Sequence, residues 1–271
     1  MNFDKKKIFR WLKIILLIYA AIGIALFYLQ EKFLFHPEKL SSSYRFTFDQ
    51  PFEEINLPFN ETDTMNLVKF SPGDSIRKGV VVYYHGNKEN IKHYAAFAKP
   101  FTNLGYEVWM EDYPGFGKSR GIITEEKLTA QAIEVKRMAD AAYGSDSIII
   151  YGKSLGTGIA AGVAAASSAK MLVLETPYYS IPDLFGCYAP IYPVSQMSTY
   201  KLPTHTFLEN VDFPVVIFHG IKDGVIPYRC AAKLKRQLKP TDKFITIPGA
   251  GHADVNRSEI YYKAMDSLLR R

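Results

Sequence analysis

Short apolar runs separated by helix-like stretches make up most of the chain after residue 79. Val80–Tyr84 is a continuous apolar run of strand length, which is typical of a strand buried on both faces of a sheet. Five similar runs follow, at residues 106–110, 148–151, 171–174, 215–218 and 244–247. The clearest amphipathic stretch between them is Glu125–Tyr143, with Thr124 as N-cap and Gly144 just past its end. This alternation predicts an α/β fold with a mostly parallel sheet and helices on both faces.

Two segments lie outside that alternation. Residues 46–57 and 65–70 predict two further strands, antiparallel at the edge of the sheet, which brings the predicted sheet to eight strands. Residues 177–211 show no clean period and are rich in proline and aromatic residues. A long irregular segment inside a compact domain predicts a small lid insertion, and an ordinary packed excursion is the alternative.

Residues 1–30 predict an N-terminal membrane anchor. Five cations within the first 13 residues precede Ile14–Leu29, which carries no charge. At about 1.5 Å per residue this run covers roughly 24 Å of a hydrocarbon core about 30 Å thick. The positive flank predicts a cytoplasmic N-terminus, with a domain of residues 31–271 on the far side of the membrane (periplasmic, extracellular or lumenal). A cleaved signal peptide and a buried core helix are the alternatives, and we favour an uncleaved, single-pass anchor.

Composition limits the classes of function. The chain has 271 residues, of which 48% are apolar, enough for one large α/β domain. Its net charge of +6 comes largely from the N-terminal cations, so no basic patch predicts a nucleic-acid partner. The two cysteines, Cys187 and Cys230, would pair in an oxidising compartment or serve as small buried apolar residues.

The glycine-rich stretch around residue 154 invites three interpretations. A phosphate-binding loop needs a glycine five residues before the Gly152-Lys-Ser glycine, and Ser147 stands there. A dinucleotide fingerprint would use Gly156-x-Gly158-x-x-Ala161 with Glu175 nineteen residues after Gly156. However, the first glycine of that fingerprint belongs in the tight turn directly after the strand, and Gly156 comes too late.

The third interpretation is a nucleophile elbow, and it fits the spacing. Gly152-x-Ser154-x-Gly156 lies between a predicted strand and a predicted helix. A serine nucleophile needs a base and an orienting acid, in the chain order Ser, Asp or Glu, His. Asp223 follows the penultimate strand, and His252 follows the last. Asp254 is the rival acid, but it stands only two residues from His252.

The chain resembles serine hydrolases of the α/β-hydrolase superfamily, in particular the membrane-anchored lysophospholipase-like or dienelactone-hydrolase-like subgroup. The resemblance rests on motifs in the order of that family: Phe35-His36-Pro37, His85-Gly86-Asn87, Asp112 to Ser119, Gly152 to Gly156, His219-Gly220-x-x-Asp223 with Ile226-Pro227, and Gly251-His252. It implies the α/β-hydrolase fold with a small lid, no cofactor and no metal.

The resemblance also implies roles for single residues. Ser154 would attack an acyl carbonyl, His252 would move the proton, and Asp223 would orient His252. The backbone amides of Leu155 and Asn87 would form the oxyanion hole. The implied reaction is hydrolysis of a carboxylic ester, including a lipid ester or thioester. The alternatives are a serine peptidase or amidase, and a non-catalytic α/β-hydrolase scaffold. The resemblance implies a structural role for His85. For Lys153 two predictions remain open: a position at the floor of the pocket, or a solvated position on the surface.

Overall fold

The computed structural model describes residues 5–73 and 77–270. Within them the strands are β1 (His36–Pro37), β2 (Phe52–Pro58), β3 (Thr64–Phe70), β4 (Gly79–Tyr84), β5 (Lys88–Glu89), β6 (Tyr106–Asp112), β7 (Ile148–Lys153), β8 (Met171–Glu175), β9 (Val215–Gly220) and β10 (Lys243–Ile247). The main sheet has the order β10-β9-β8-β7-β4-β6-β3-β2, and β1 pairs separately with β5. The strand order places β4, β6 and β7 at the centre, where every one of their residues is buried.

The predicted eight-stranded, mostly parallel sheet is confirmed. Among the described strands of the main sheet, antiparallel pairing is confined to β2 with β3 and β3 with β6. The first predicted strand begins later than expected, at Phe52 rather than at residue 46. The preceding segment turns inward instead, because the rings of Phe46 and Phe48 stack at 5.3 Å and Phe48 packs on Phe70 at 5.1 Å. Pro51, which has no N–H to donate, ends that segment.

Ten α-helices connect and cover these strands in the described residues. They are α1 (Lys5–Leu34), α2 (Ile91–Tyr94), α3 (Lys99–Thr102), α4 (Glu125–Tyr143), α5 (Leu155–Ala165), α6 (Ile181–Tyr188), α7 (Val194–Met197), α8 (Thr204–Leu208), α9 (Tyr228–Ala231) and α10 (Glu259–Leu269). Helix α4 begins where the sequence predicts, since the Thr124 side chain accepts the Lys127 amide. Gly144, with φ of 74°, ends it.

The helices cover both faces of the sheet, as predicted. On one face, α4, α5 and α8 pack over residues such as Val82, Ile150 and Leu174. On the other face, α2, α3 and α10 pack over the alternate residues of the same strands, such as Val81 and Ile149. Helix α5 is buried almost all round because it lies between the sheet and α8. Its many small residues make that close packing possible.

Helix α1 is long and apolar enough to cross a membrane. An 18-residue window within it has a mean hydropathy of 2.4, and none of that window is buried inside the protein. That exposure differs from the burial of a core helix, which was one of the alternatives. The helix continues to Leu34, four residues beyond the predicted anchor, and both Gln30 and Leu34 are buried. Its last turn is therefore packed against the rest of the protein.

Candidate active site

Ser154 stands in the tight turn between β7 and α5. Its φ of 51° and ψ of −117° lie outside the regions that L-residues ordinarily occupy. A Cβ on Gly156 would collide with the carbonyl of Tyr84 and would lie 2.6 Å from that of His85. A Cβ on Gly152 would lie 2.7 Å from the Cβ of Ala160. The two glycines are therefore required because the turn presses its backbone against β4 and against its own helix.

Replacing Gly156 by alanine is expected to destabilise the protein. The new methyl group meets backbone atoms of β4 that cannot move without disturbing the sheet. We expect a loss of about 2–3 kcal/mol of unfolding free energy, which lowers Tm by about 5–10 °C in a thermal melt. Gly224→Ala is the matched control because its Cβ would meet nothing within 4 Å. An equal Tm for the two variants would contradict the packing account of the elbow.

Ser154, His252 and Asp223 form a continuous series of hydrogen bonds. His252 Nε2 lies 2.9 Å from Ser154 Oγ, and His252 Nδ1 lies 2.8 Å from Asp223 Oδ2. The three side chains come from the loops after β7, β9 and β10, which end at the same edge of the sheet. Asp223 is buried, whereas the side chain of His252 is 20% exposed. The structure thus brings together the three residues that the sequence singles out.

The carboxylate of Asp223 is held in its charged form by its surroundings. Burial acts to raise the pKa of Asp223, but the hydrogen bond and charge of His252 and the amides of Ile226 and Val225 outweigh it, so the pKa lies below its usual value. Asp223 Oδ1 accepts those amides at 2.7 and 2.8 Å. A carboxylate fixed on one oxygen offers the other to His252 in a single orientation.

His219 supports the loop that carries Asp223. It is fully buried, and its Nε2 donates to the carbonyl of Ile226 at 2.9 Å. Burial lowers the pKa of His219, which favours the neutral ring, and the tautomer with its proton on Nε2 makes this bond. Asp254, the rival acid, accepts the Gly251 amide at 2.7 Å and thereby shapes the loop before His252.

The two predicted oxyanion donors lie beside the nucleophile. Leu155 is the first residue of α5, and Asn87 follows β4. In the described residues neither backbone amide has an intramolecular acceptor. Leu155, Asn87 and Ser154 line the same cavity. Their role in binding an oxyanion stays a prediction.

The structure also places His85 and the glycines Gly156 and Gly158, and each is packed against neighbouring groups. His85 is buried between the rings of Tyr94 and Tyr113, at 4.8 and 4.2 Å, and its Nδ1 lies 2.7 Å from the Gly86 carbonyl. Gly156 and Gly158 lie inside α5, where a Cβ on Gly158 would collide with the hydroxyl of Tyr178. These two glycines serve helix packing, so the geometry of a dinucleotide-binding turn is missing at this stretch.

Lys153 occupies neither of the two positions considered from the sequence. It is buried and forms an ion pair with the carboxylate of Glu175 on the neighbouring strand. The other oxygen of Glu175 accepts the hydroxyl of Tyr151 at 2.6 Å, and the Glu175 carbonyl accepts the Ser154 amide at 2.9 Å. Glu175 thus braces the turn that carries Ser154. In the sequence, Glu175 stands out only as the last residue of a predicted strand, nineteen residues after Gly156. That position fits the ribose-binding acid of a dinucleotide fingerprint and gives no indication of the ion pair with Lys153.

An apolar cavity of about 420 Å³ opens beside Ser154. Its walls come from three parts of the chain: the end of α1, residues 177–211, and the loop that follows Asp223. Polar groups at its surface are few, and the residues that line it include Leu26, Phe33, Leu155, Leu184, Phe185, Val194, Met197 and Val225. The sequence did not predict that α1 lines this cavity, because a local pattern gives no information about contacts between residues so far apart in the chain.

Cys187 and Cys230 form a disulfide that ties α6 to α9. Together with Asp183 they make the cluster of possible metal ligands found in the described residues. A sulfur in a disulfide is not a thiolate, so this cluster does not offer the ligands that a metal site needs.

The sequence of the central region is similar to that of known hydrolases. Residues 75–207 match the family described as serine aminopeptidase, S33, a range that includes Ser154 and ends before Asp223 and His252. The chain is 26% identical over 176 residues to an uncharacterized protein of Mycobacterium tuberculosis, a match that covers 64% of this chain and 63% of that protein. It is 26% identical over 189 residues to lysophosphatidylserine lipase ABHD12 of Rattus norvegicus, a match that covers 61% of this chain and 46% of that protein.

Solved structures share the architecture at low sequence identity. An esterase of Pyrococcus furiosus superposes with a TM-score of 0.69 and 14% identity, and the match covers 88% of this chain and 97% of that one. Est1E of Butyrivibrio proteoclasticus, with ferulic acid bound, gives a TM-score of 0.66 at 20% identity, and the match covers 80% of this chain and all of that one. The protein has the α/β-hydrolase fold.

The resemblance stated from the sequence, to α/β-hydrolases of the lysophospholipase-like type, is confirmed by these comparisons. The chain spans less than two thirds of the length of the curated relatives above.

Proposed function

We propose that this protein is a serine esterase that cleaves a carboxylic ester through Ser154, His252 and Asp223. The observation that carries the proposal is the unbroken series of hydrogen bonds from Asp223 to His252 to Ser154, which lines an apolar cavity. A hydroxyl within 3 Å of an imidazole that a buried carboxylate orients is the arrangement needed to activate a serine.

In the acylation step, Ser154 Oγ forms a bond to the carbonyl carbon of the ester while its proton passes to His252 Nε2. The carbonyl oxygen takes up the negative charge, and the amides of Leu155 and Asn87 donate hydrogen bonds to it. The intermediate collapses as the C–O bond to the alcohol breaks and His252 returns the proton to the leaving oxygen. An acyl group is then bound to Ser154.

In the deacylation step, a water molecule repeats the attack. His252 takes a proton from the water, the oxygen bonds to the acyl carbon, and the Ser154–acyl bond breaks with return of the proton to Ser154 Oγ. Asp223 stays ionised throughout and stabilises the imidazolium that forms twice in each cycle. The low pKa of Asp223 suits that role.

The cavity favours a lipid ester as the substrate. Its lining is largely apolar and includes the nucleophile, so an acyl chain attached to the reacting carbonyl would lie within it. The similarity to a lysophosphatidylserine lipase supports the same class of substrate. We therefore assign the activity to the hydrolases of carboxylic esters, with thioesters as chemically similar substrates and with no cofactor or metal in the reaction.

A serine peptidase or amidase is the second candidate, because the matching family is described as serine aminopeptidase. The same three residues can cleave an amide, so the choice depends on the pocket. Residues with carboxylate side chains would be expected near the site of an aminopeptidase to bind the substrate ammonium group. No Asp or Glu side chain lines the cavity in the described part of the chain, which favours an ester.

Labelling with a fluorophosphonate probe, followed by a substrate panel, tests the proposal on the full chain. We expect one probe per protein and hydrolysis of monoacylglycerol at least about tenfold faster than hydrolysis of alanine p-nitroanilide. Heat-denatured protein is the control for non-specific labelling. The absence of labelling would favour a non-catalytic scaffold, and preferential cleavage of the anilide would favour the peptidase.

We also propose that residues 1–30 are a membrane anchor and that residues 31–271 are the catalytic domain. Residues 177–211 would form the lid of that domain. The domain would lie on the far side of the membrane from the N-terminus. The apolar length of α1 and the lysines before it support the anchor. The disulfide between Cys187 and Cys230 supports an oxidising compartment for the domain.

A further inference from the structure

We infer that the C-terminal part of α1 forms one wall of an acyl-chain site, so that the proposed anchor is also a specificity element of the active site. This inference rests on the proposed esterase function and names the part of the protein that would select the acyl chain. Leu26, Phe27, Phe33 and Leu34 of α1 line the cavity beside Ser154. Residues of α6 and α7 line the same cavity.

The middle of α1 is attached to residues 177–211 by a two-tyrosine contact. The rings of Tyr19 and Tyr192 stack at 4.6 Å with an angle of 4° between their planes. Tyr19 donates its hydroxyl to the Ile191 carbonyl at 3.0 Å, and Tyr192 donates to the Tyr19 carbonyl at 3.1 Å. Gly23 makes room for the Tyr192 ring, since a Cβ there would lie 3.1 Å from it. Reciprocal contacts of this kind fix the rotation of α1 about its axis.

A buried glutamine, Gln30, fixes the helix again about three turns after Tyr19. Gln30 donates its side-chain amide to the Met197 carbonyl at 3.3 Å and accepts the Thr199 amide at 2.7 Å. The next residue, Glu31, accepts the hydroxyl of Tyr200 at 3.1 Å. A buried amide side chain costs free energy unless its bonds are made, so these contacts favour one register of α1 against the insertion.

The end of α1 is also joined to the loop that carries a proposed oxyanion donor. Asn87 donates its side-chain amide to the Leu34 carbonyl at 2.9 Å, and its own carbonyl accepts the His36 amide at 2.9 Å. The reacting carbonyl and the wall of the cavity are thus positioned by the same helix end.

A single fatty acyl chain suits this cavity. Ser154 lines the space together with apolar side chains of α1, α6 and α7. Tyr188, which also lines the cavity, is 57% exposed, and Ile191, whose carbonyl accepts the Tyr19 hydroxyl of α1, is 71% exposed. An apolar surface therefore continues from the cavity to the part of α1 that is long enough for a membrane, and an acyl chain in a bilayer would reach Ser154 along α1 without crossing water.

The full chain in detergent allows a direct test with Leu26→Trp, which places an indole in the cavity. The control is Leu29→Trp, the same substitution one turn away, at a residue that is 38% exposed and does not line the cavity. The measured quantity is the ratio of kcat/KM for p-nitrophenyl dodecanoate to kcat/KM for p-nitrophenyl acetate. We expect Leu26→Trp to lower this ratio at least about tenfold, which corresponds to about 1.4 kcal/mol, or roughly two buried methylene groups.

An unchanged ratio in Leu26→Trp, or an equal fall in Leu29→Trp, would overturn the inference while the esterase function stands. Failure of the wild type to hydrolyse either ester would instead count against the proposed function. A second measurement is independent of hydrolysis: a dodecanoic acid with a terminal diazirine is photo-crosslinked and the labelled peptides are identified. We expect label at Leu184–Phe185 in the wild type and in Leu29→Trp, and at least a tenfold loss in Leu26→Trp. Equal label in all three proteins would refute the acyl-chain site.

Discussion

Ser154→Ala is expected to lower kcat/KM for p-nitrophenyl butyrate by at least about 10⁴-fold. The variant keeps the fold but has no oxygen to form the acyl-enzyme, so only the contribution of binding and of the oxyanion donors remains. The methyl group of alanine fits where Cβ of Ser154 already stands, in the same turn. The rate is measured by release of p-nitrophenol with purified protein, and thermal melts confirm that the variant is folded.

Ser168→Ala is the control for this substitution. Ser168 is exposed and lies beyond the end of α5. We expect its variant to hydrolyse the ester at the wild-type rate. If Ser154→Ala retained even a tenth of the wild-type activity, Ser154 would not be the nucleophile, and the fluorophosphonate label would have to be sought on another residue.

Asp223→Asn is expected to lower kcat by about 10⁴-fold with a small effect on KM. The asparagine side chain keeps the size of Asp223 but removes the charge that stabilises the imidazolium of His252. Its amide group can also hold the wrong tautomer, with the proton on the nitrogen that faces Ser154. The loop would keep its shape if the asparagine oxygen accepted the Ile226 amide as Asp223 does.

The matched control for Asp223→Asn is Asp254→Asn. Asp254 stands two residues from His252 and bonds the Gly251 amide, but no hydrogen bond joins it to His252. We expect its loss of kcat to stay below about tenfold, through small shifts of the loop. A larger loss for Asp254→Asn than for Asp223→Asn would show that the acid is wrongly assigned and that the last loop supplies its own carboxylate.

The fold was predictable because its signals are local. A strand buried on both faces is typically a continuous apolar run, and most residues of β4, β7 and β8 are apolar. The capping residue Thr124 marks the start of a helix, and in the structure its side chain accepts the Lys127 amide. The start of β2 was missed because Phe46 and Phe48 have strand-like side chains but pack inward from a non-strand backbone.

The candidate site was predictable for a different reason. Parallel strands end at one edge of the sheet, so residues that follow β7, β9 and β10 are placed near one another whatever the intervening sequence. The spacing of Gly152, Ser154 and Gly156 also predicted a tight turn, because small residues on either side of the serine are what such a turn needs. The sequence could not predict the distances of 2.8 Å from His252 to Asp223 and 2.9 Å from His252 to Ser154, because these depend on the side-chain rotamers.

The sequence by itself determined the eight strands of the main sheet, helix α4, the tight turn at Ser154 and the candidates Asp223 and His252, since each depends on neighbouring residues or on the polarity of a parallel sheet. The tertiary structure alone decided that Lys153 pairs with Glu175, that Cys187 meets Cys230, and that α1 closes the cavity beside the nucleophile. These are contacts between residues far apart in the chain, and they arise only where packing of the whole fold brings complementary surfaces together.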